Sequence, residues 1–498
     1  MHRSLCPLPR QPHALALAGA LLLAALPAGA AVFTPTRFDD PAVGACNADC
    51  SLREAVVAAN ANPGADVIAL GPGTYLLTIA GPGEDAAASG DLDVTGELVI
   101  LGDGAASTVI DTRGADRLID LHGAALELVG VTLAGGTVAG NGGLVRNLGG
   151  ELTVARSLLT TGSAIDSFGG AIYSDGTLTV VESTVFGNDA GSGGGIAARN
   201  SLTLVNSTLS ANAATALGGG LYVFADVDGV VANTTITGNR AQRAGGVYVE
   251  SAAFLGGSPG FRNTIIARNH APQDTDCAGS ADSLGFNLLG VGGGCFDFTA
   301  AHADNVGTAA APLDPRLTTL ANHGGPTPTH APLPASPAVD GGNPAAPGSG
   351  GDACEATDQR GADRPGKGSA RCDIGAVELT DQCVAGGANL CLEQGRFQVS
   401  ARWTTPQGQT GAAEAVQLTD DAGYFWFFSP ENVELTVKVL NACIPAFNRY
   451  WVFLSGLTNL QVEVRVVDTK TGQTKTYTNP QGRTFRTILD TQAFSTCP

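Results

Sequence analysis

Between residues 124 and 250, short runs of alternating apolar and polar residues recur at a fixed interval. The stretches LELVGVTL, LTVARSLL, LTVVESTV, LTLVNSTL and VVANTTI end in Leu133, Leu159, Val185, Leu209 and Ile236, at steps of 26, 26, 24 and 27 residues. A second marker keeps pace. A Gly-Gly pair precedes an apolar residue at Gly143, Gly170, Gly195, Gly220 and Gly246. The alternation in Leu178-Thr179-Val180-Val181 has the two-residue period of a strand, and Gly, Asn or Asp separates successive runs. Two markers sharing one period predict stacked units. Three short strands per repeat predict a right-handed parallel β-helix, because the L-x-x-L-x-L frame of a leucine-rich repeat is absent. Turns stack at about 4.8 Å, so ten of them make a rod roughly 50 Å long.

Stacking places like on like. Asn206, Asn233 and Asn263 share one position, and Asn188, Asn212, Asn239 and Asn269 share another. Both columns are expected to be polar ladders that bond along the axis or hold the corner backbone. The paired glycines mark corners where a Cβ would clash. Upstream, Ser51 and Glu54 have capping-box spacing, and Leu52, Ala55, Val56 and Ala59 share one helical face. A short amphipathic helix is therefore expected to cover the first turn, whose strand edges would otherwise be bare.

Downstream of residue 381 the alternation changes character. Phe397, Val399, Ala401 and Trp403 form one run, Val433 to Val439 a second, and Val462, Val464 and Val466 a third. Gly, Asn and Pro separate them, which predicts an antiparallel β-sandwich. The fold class is thus all-β. The divisions expected are an export signal (1–30), an N-terminal cap with a short helix (31–66), the β-helix (67–311), a Pro-rich end cap (312–380) and the sandwich (381–498).

Composition adds the compartment. Arg3 and Arg10, the apolar run Leu15 to Leu26, and Ala28-Gly29-Ala30 form a secretory-signal pattern. No second apolar span follows, so no transmembrane segment is expected in the mature chain. Of 11 cysteines, Cys6 falls in the signal, leaving an even number suited to disulfides. Sequence neighbours suggest Cys46–Cys50, Cys277–Cys295, Cys354–Cys372, Cys383–Cys391 and Cys443–Cys497. The formal charge of −19 argues against nucleic acid as a partner, and against anionic polysaccharide unless cations bridge the two.

Three stretches carry family resemblances. CSLREAVVAAN, from Cys50, resembles the CSLREA-type module of secreted bacterial proteins, which implies export and a pectate-lyase-like β-helix. Asp314-Pro315, Gly324-Gly325, Thr329-His330, Ser336 to Asp340, Asp358-Gln359-Arg360-Gly361 and Asp373-Ile374-Gly375-Ala376 resemble the choice-of-anchor Q module of cell-surface proteins. GYFWFF, VELTVKVL and RYWVF resemble an uncharacterised C-terminal module of secreted proteins.

Candidate chemistry is sparse. Polygalacturonases carry paired Asp motifs with Gly-His-Gly, and pectate lyases an Arg-x-Pro-x-x-Arg frame; neither pattern is found on the rod. The densest local set is Asp111, Arg113, Asp116, Arg117, Asp120 and His122, which corner turns and Arg–Asp pairing also explain. His323 and His330, near Asp314 and Asp340, suit turn hydrogen bonds better than a metal. No catalytic residue, cofactor or resident metal is assigned. Acidic corners leave structural calcium open, but no calcium-binding array is present. Tyr424, Trp426 and Trp451 are the candidate glycan contacts, because alternate faces of an aromatic strand divide between core and surface. The expected function is an exported, non-enzymatic β-helix at the cell surface or secreted, contacting extracellular polysaccharide or a cell-surface component. A polysaccharide lyase or glycoside hydrolase, and a purely structural surface component, are the alternatives.

Overall fold

The computed structural model describes residues 29–497 except 82, 115, 252–256, 296, 334–335, 367–368, 380–382, 384–385, 394, 445 and 470–472. The expected export signal lies outside the described residues but for its last two. The described chain is nearly all β and forms a parallel solenoid followed by a separate antiparallel region.

Three parallel sheets wind along the solenoid, with ten, ten and nine strands. Sheet one runs from Val32–Phe33 to Asp282–Gly285, sheet two from Gly73–Leu76 to Asn305–Val306, and sheet three from Leu92–Val94 to Gly294–Cys295. A fourth sheet of four strands, Thr137–Val138 to Ala213–Leu217, lies between sheets two and three along the chain. Neighbours within each sheet are successive turns, so the sequence repeat becomes the stacking register. Ile110, Leu133, Leu159, Val185, Leu209, Ile236, Ile266 and Leu289 pair in one unbroken column. All eight are fully buried, and each contributes about 1.5–3 kcal/mol by leaving water. Leu126, Leu152, Leu178 and Leu202 do the same in sheet one.

Corners explain the polar columns. The Asn188 column is a ladder. Asn188 Nδ2 donates to Asn212 Oδ1, Asn212 Nδ2 to Asn239 Oδ1, and Asn239 Nδ2 to Asn269 Oδ1, at 2.9, 2.9 and 3.0 Å. Asp276 ends it by accepting from Asn269 Nδ2. The Asn206 column differs from expectation. Arg156, Glu182, Asn206, Asn233 and Asn263 all hold φ between +45° and +50°, the left-handed region that Asn tolerates best among side-chain-bearing residues. Their amides bond sideways, not along the axis: Asn206 Nδ2 donates to Thr357 O, and Glu355 N donates to Asn233 Oδ1. At the glycine corner, a Cβ on Gly170 would lie 2.2 Å from Gly194 O in the next turn.

The helix α1 (Leu52–Ala61) has both halves of its capping box, with Ser51 Oγ accepting from Glu54 N and Glu54 Oε2 accepting from Ser51 N. Its buried Leu52, Ala55, Val56 and Ala59 join the solenoid core. On its other side lies a fully buried arginine. Arg53 pairs with both oxygens of Asp40 at 2.8 and 2.9 Å and donates to the carbonyls of Ala87, Gly90 and Asp91.

The segment expected as an end cap, residues 312–380, runs along the flank of the solenoid instead. Thr184, Thr208 and Thr235 face outward from successive strands of sheet two. Thr184 Oγ1 donates to Pro328 O, Thr208 Oγ1 to Gln359 Oε1, and Ala376 N to Thr235 Oγ1. Gln359 Nε2 also reaches Ser183 O and Thr184 Oγ1. Farther along, Leu317, Ala338 and Ile374 pack on Ile265, Ala267 and Leu288. The reason is that sheet two offers an outward file of hydroxyls and then of apolar side chains, which a Pro-rich extended segment can cover without forming strands of its own. We refer to it as the strap. His323 and His330 are held within it by Thr318 and Thr329.

The C-terminal region has two antiparallel sheets. One holds Asn389–Leu392, Phe397–Thr404, Gln461–Asp468 and Thr474–Asn479, with Thr410–Ala412 beside Phe397–Thr404. The other holds Glu414–Gln417, Ala422–Trp426, Leu435–Ala442, Arg449–Gly456 and Ile488–Phe494. Phe397, Val399 and Val464 of the first share one core with Phe425, Val437 and Val452 of the second. Five disulfides join Cys46 to Cys50, Cys277 to Cys295, Cys354 to Cys372, Cys383 to Cys391 and Cys443 to Cys497, which are the sequence-neighbour pairs. No helix among the described residues is long and apolar enough to cross a membrane.

Candidate functional site

The outward face of sheet three changes chemistry along the axis. One register column runs Asp93, Asp120, Arg146, Tyr173, Ala197, Tyr222, Tyr248. Six steps at about 4.8 Å make this file roughly 30 Å long. Its first part is ionic and its second aromatic.

In the ionic part, Arg117 Nη1 lies 2.7 Å from Asp91 Oδ2 and 3.5 Å from Asp120 Oδ2. Arg146 Nε donates to Asp120 Oδ1 at 2.9 Å, and its Nη2 contacts Asp120 Oδ2. His122 Nε2 stands 3.1 Å from Asp93 Oδ1, 3.7 Å from Asp120 Oδ2 and 4.0 Å from Asp85 Oδ1. Burial pushes the Asp91 carboxyl up to about 6 against the pull of Arg117, and it raises Asp93 as well. The hydrogen bond to Asp120 holds Arg146 above its ordinary value. Asp85, Asp93 and His122 present three ligand atoms within 4.8 Å of one another.

The sequence placed only half of this cluster. Arg117, Asp120 and His122 converge, whereas Asp111 and Asp116 serve local turns, accepting from Arg113 N and Arg117 N. Asp85, Asp91, Asp93 and Arg146 were missed, although Asp93, Asp120 and Arg146 sit one repeat apart.

The aromatic part begins where Asn141 Oδ1 accepts from Phe168 N and Arg117 Nη2 donates to Asn141 O. Tyr173 and Tyr222 lie buried beneath half-buried Phe168, Phe224 and Tyr248. Tyr222 and Tyr248 stack at 5.5 Å and 15°, and Phe168 meets Phe224 at 5.0 Å. Two guanidiniums rim the patch, Arg199 at 5.3 Å over Phe224 and Arg243 at 5.7 Å over Tyr248. Glu250 accepts from the Tyr222 hydroxyl, and burial with that bond raises Tyr222 further.

The three candidate glycan contacts lie elsewhere. Tyr424, Trp426 and Trp451 are half-buried on the outer face of their sheet, while Phe425 and Phe427 fill the core. They are not one group. Tyr424 pairs with Thr436 and through it with Ser455, four residues from Trp451. Trp451 instead packs with Phe447 at 4.9 Å and Phe453 at 6.1 Å. Phe428 is 58% exposed and leans on Trp403 at 4.6 Å.

No family model matches the chain, and neither a curated protein nor a solved structure matches it.

Proposed function

We propose that this chain is an exported β-solenoid that binds an extracellular polysaccharide along the outward face of sheet three, without turning it over. The observation that carries the reading is the continuous file from Arg146 to Tyr248. It sets Arg146, Tyr173, Tyr222 and Tyr248 at the turn spacing on a flank, with half-buried Phe168, Phe224 and Tyr248 covering the buried tyrosines, while the strap contacts sheet two. Extended glycans suit such a file because sugar rings offer apolar faces to aromatics and hydroxyls to charged and amide side chains. The CSLREA-type and choice-of-anchor Q resemblances support export and cell-surface residence, and the five disulfides suit an oxidising compartment. Tyr424, Trp426 and Trp451 supply a secondary contact on the C-terminal sheets.

The test is a panel of neutral and acidic polysaccharides presented to the purified chain, with retention and product release read together. Phe224→Ala with Tyr248→Ala is expected to weaken retention about tenfold, from two ring contacts of about 0.5–1.5 kcal/mol each. Retention unchanged by that pair but lost in Trp426→Ala with Trp451→Ala moves the site to the C-terminal sheets. A second reading, a polysaccharide-cleaving enzyme, is favoured by the convergence of Asp91, Asp93, Asp120 and His122 with Arg117 and Arg146. Buried carboxyls raised toward neutrality are groups that can hold or accept a proton. Release of unsaturated or reducing ends establishes that reading over the first.

A further inference from the structure

We infer that Asp85, Asp93 and His122 bind a divalent transition-metal ion of the zinc class at the N-terminal end of the sheet-three file. The site stands independently of the polysaccharide reading and is tested by metal binding alone.

The spacing fits a small tetrahedral ion. Zinc bonds of about 2.0–2.1 Å to nitrogen and oxygen place tetrahedral ligand atoms about 3.3 Å apart. His122 Nε2 lies 3.1 Å from Asp93 Oδ1 and 4.0 Å from Asp85 Oδ1, so small side-chain movements close the set. The local charge favours a cation as well. Asp93 is fully buried, and a cation beside a buried carboxyl favours its ionised, metal-ligating form. Both nearby guanidiniums are committed elsewhere, Arg117 to Asp91 and Asp120, and Arg146 to Asp120. Among the described residues, His122 is the one basic side chain in ion-pair range of Asp93. A bound ion supplies the missing positive charge.

The ligands are also held in place. Asp93 and His122 sit on adjacent strands of sheet three, Leu92–Val94 and Ile119–His122. Ala87 N donates to Asp93 Oδ2, leaving Oδ1 turned to the imidazole. The loop that carries Asp85 is fixed by Glu84, which accepts from Ala86 N and Ser89 N, and by Arg53, which grips Ala87 O and Gly90 O. Asp85 itself is 75% exposed on its side chain, so the fourth position opens to solvent, where water or a ligand oxygen completes the shell. One imidazole nitrogen with carboxylate oxygens selects zinc-class ions over calcium or magnesium, which take six or more oxygens.

The experiment strips the full chain with chelator and titrates it with zinc chloride by calorimetry, with cobalt chloride as a spectroscopic substitute. One ion per chain and a tetrahedral cobalt spectrum are expected. His122→Ala should weaken the affinity at least tenfold, and Asp85→Asn, on an exposed loop position, should weaken it without disturbing the fold. Circular dichroism of both variants checks that the solenoid is intact. Failure to bind zinc, or zinc binding with unchanged affinity in both folded variants, overturns the assignment.

Discussion

Asn212→Ala removes the middle of the asparagine ladder. The Asn212 side chain accepts from Asn188 N at 3.1 Å and Asn188 Nδ2 at 2.9 Å, and donates to Val185 O at 3.0 Å and Asn239 Oδ1 at 2.9 Å. Two of the partners are partly covered without it. Asn188 Nδ2 keeps Leu159 O, and Asn239 Oδ1 keeps Asn212 N. Three groups lose a bond with no replacement: the Asn188 N–H, one hydrogen of Asn188 Nδ2, and the Val185 carbonyl lone pair. All lie in the buried corner, where an unmet polar group costs about 1–3 kcal/mol, so the sum is at least about 3 kcal/mol. Urea unfolding followed by far-UV circular dichroism should show the midpoint falling with an unchanged slope. Asn200→Ala, at an exposed corner of the same turn, is the control and should change stability by less than about 0.5 kcal/mol. A loss below about 1 kcal/mol in Asn212→Ala would refute the ladder as a stabilising device.

Further outcomes follow from the same geometry. Arg53→Met leaves Asp40 buried without its partner and releases three carbonyls; the loss expected is about 3–5 kcal/mol, and Asp40→Asn added to it should recover part, both measured by urea unfolding. Gln359→Ala cuts the strap's bonds to Ser183, Thr184 and Thr208, so amide exchange along residues 182–210 should quicken while the C-terminal sheets stay protected. Burial, and then the charge of Glu378, push the Asp373 carboxyl well above the usual carboxylate range, with Arg364 opposing. Its folded state holds the proton more tightly than the unfolded chain does. That contribution is complete below the unfolded value of about 4 and is lost as pH rises toward neutrality. The melting temperature should therefore rise on going from about pH 8 to about pH 5, less so in Asp373→Asn. Buried His323 and His330, both lowered by burial, act in the opposite direction, so the difference between wild type and variant is the quantity to read.

The parts legible in the sequence are those that repeat. Leu133, Leu159, Val185 and Leu209 could be aligned because a column needs the same residue class in every turn, and the Asn188 ladder is visible for the same reason. Each cysteine pairs with the next one along the chain, four of the pairs within 18 residues and Cys443–Cys497 across 54. The strap was misplaced because its Pro-rich residues carry no period, and only the outward file Thr184, Thr208, Thr235 and Ile265, buried to the last atom or nearly so, betrays that something lies upon it. The ionic cluster was half found. Reading along the chain favoured Asp111 and Asp116, whereas reading across turns joins Asp93, Asp120 and Arg146. The tyrosines of the file likewise follow the Gly-Gly pairs as a third repeating marker.

Stacked coils ordinarily fray from their ends, since each touches only the coil before and after it. Here residues 312–380 act as a splint. The Gln359 side chain alone grips two neighbouring coils, at Thr184 and Thr208, and the ribbon continues past Ile265 to Leu288. Opening any one coil in that stretch requires lifting the splint from the others. The far half of the rod should therefore unzip as one block under load, while the nearer coils, from Asp66 to Leu159, give way singly.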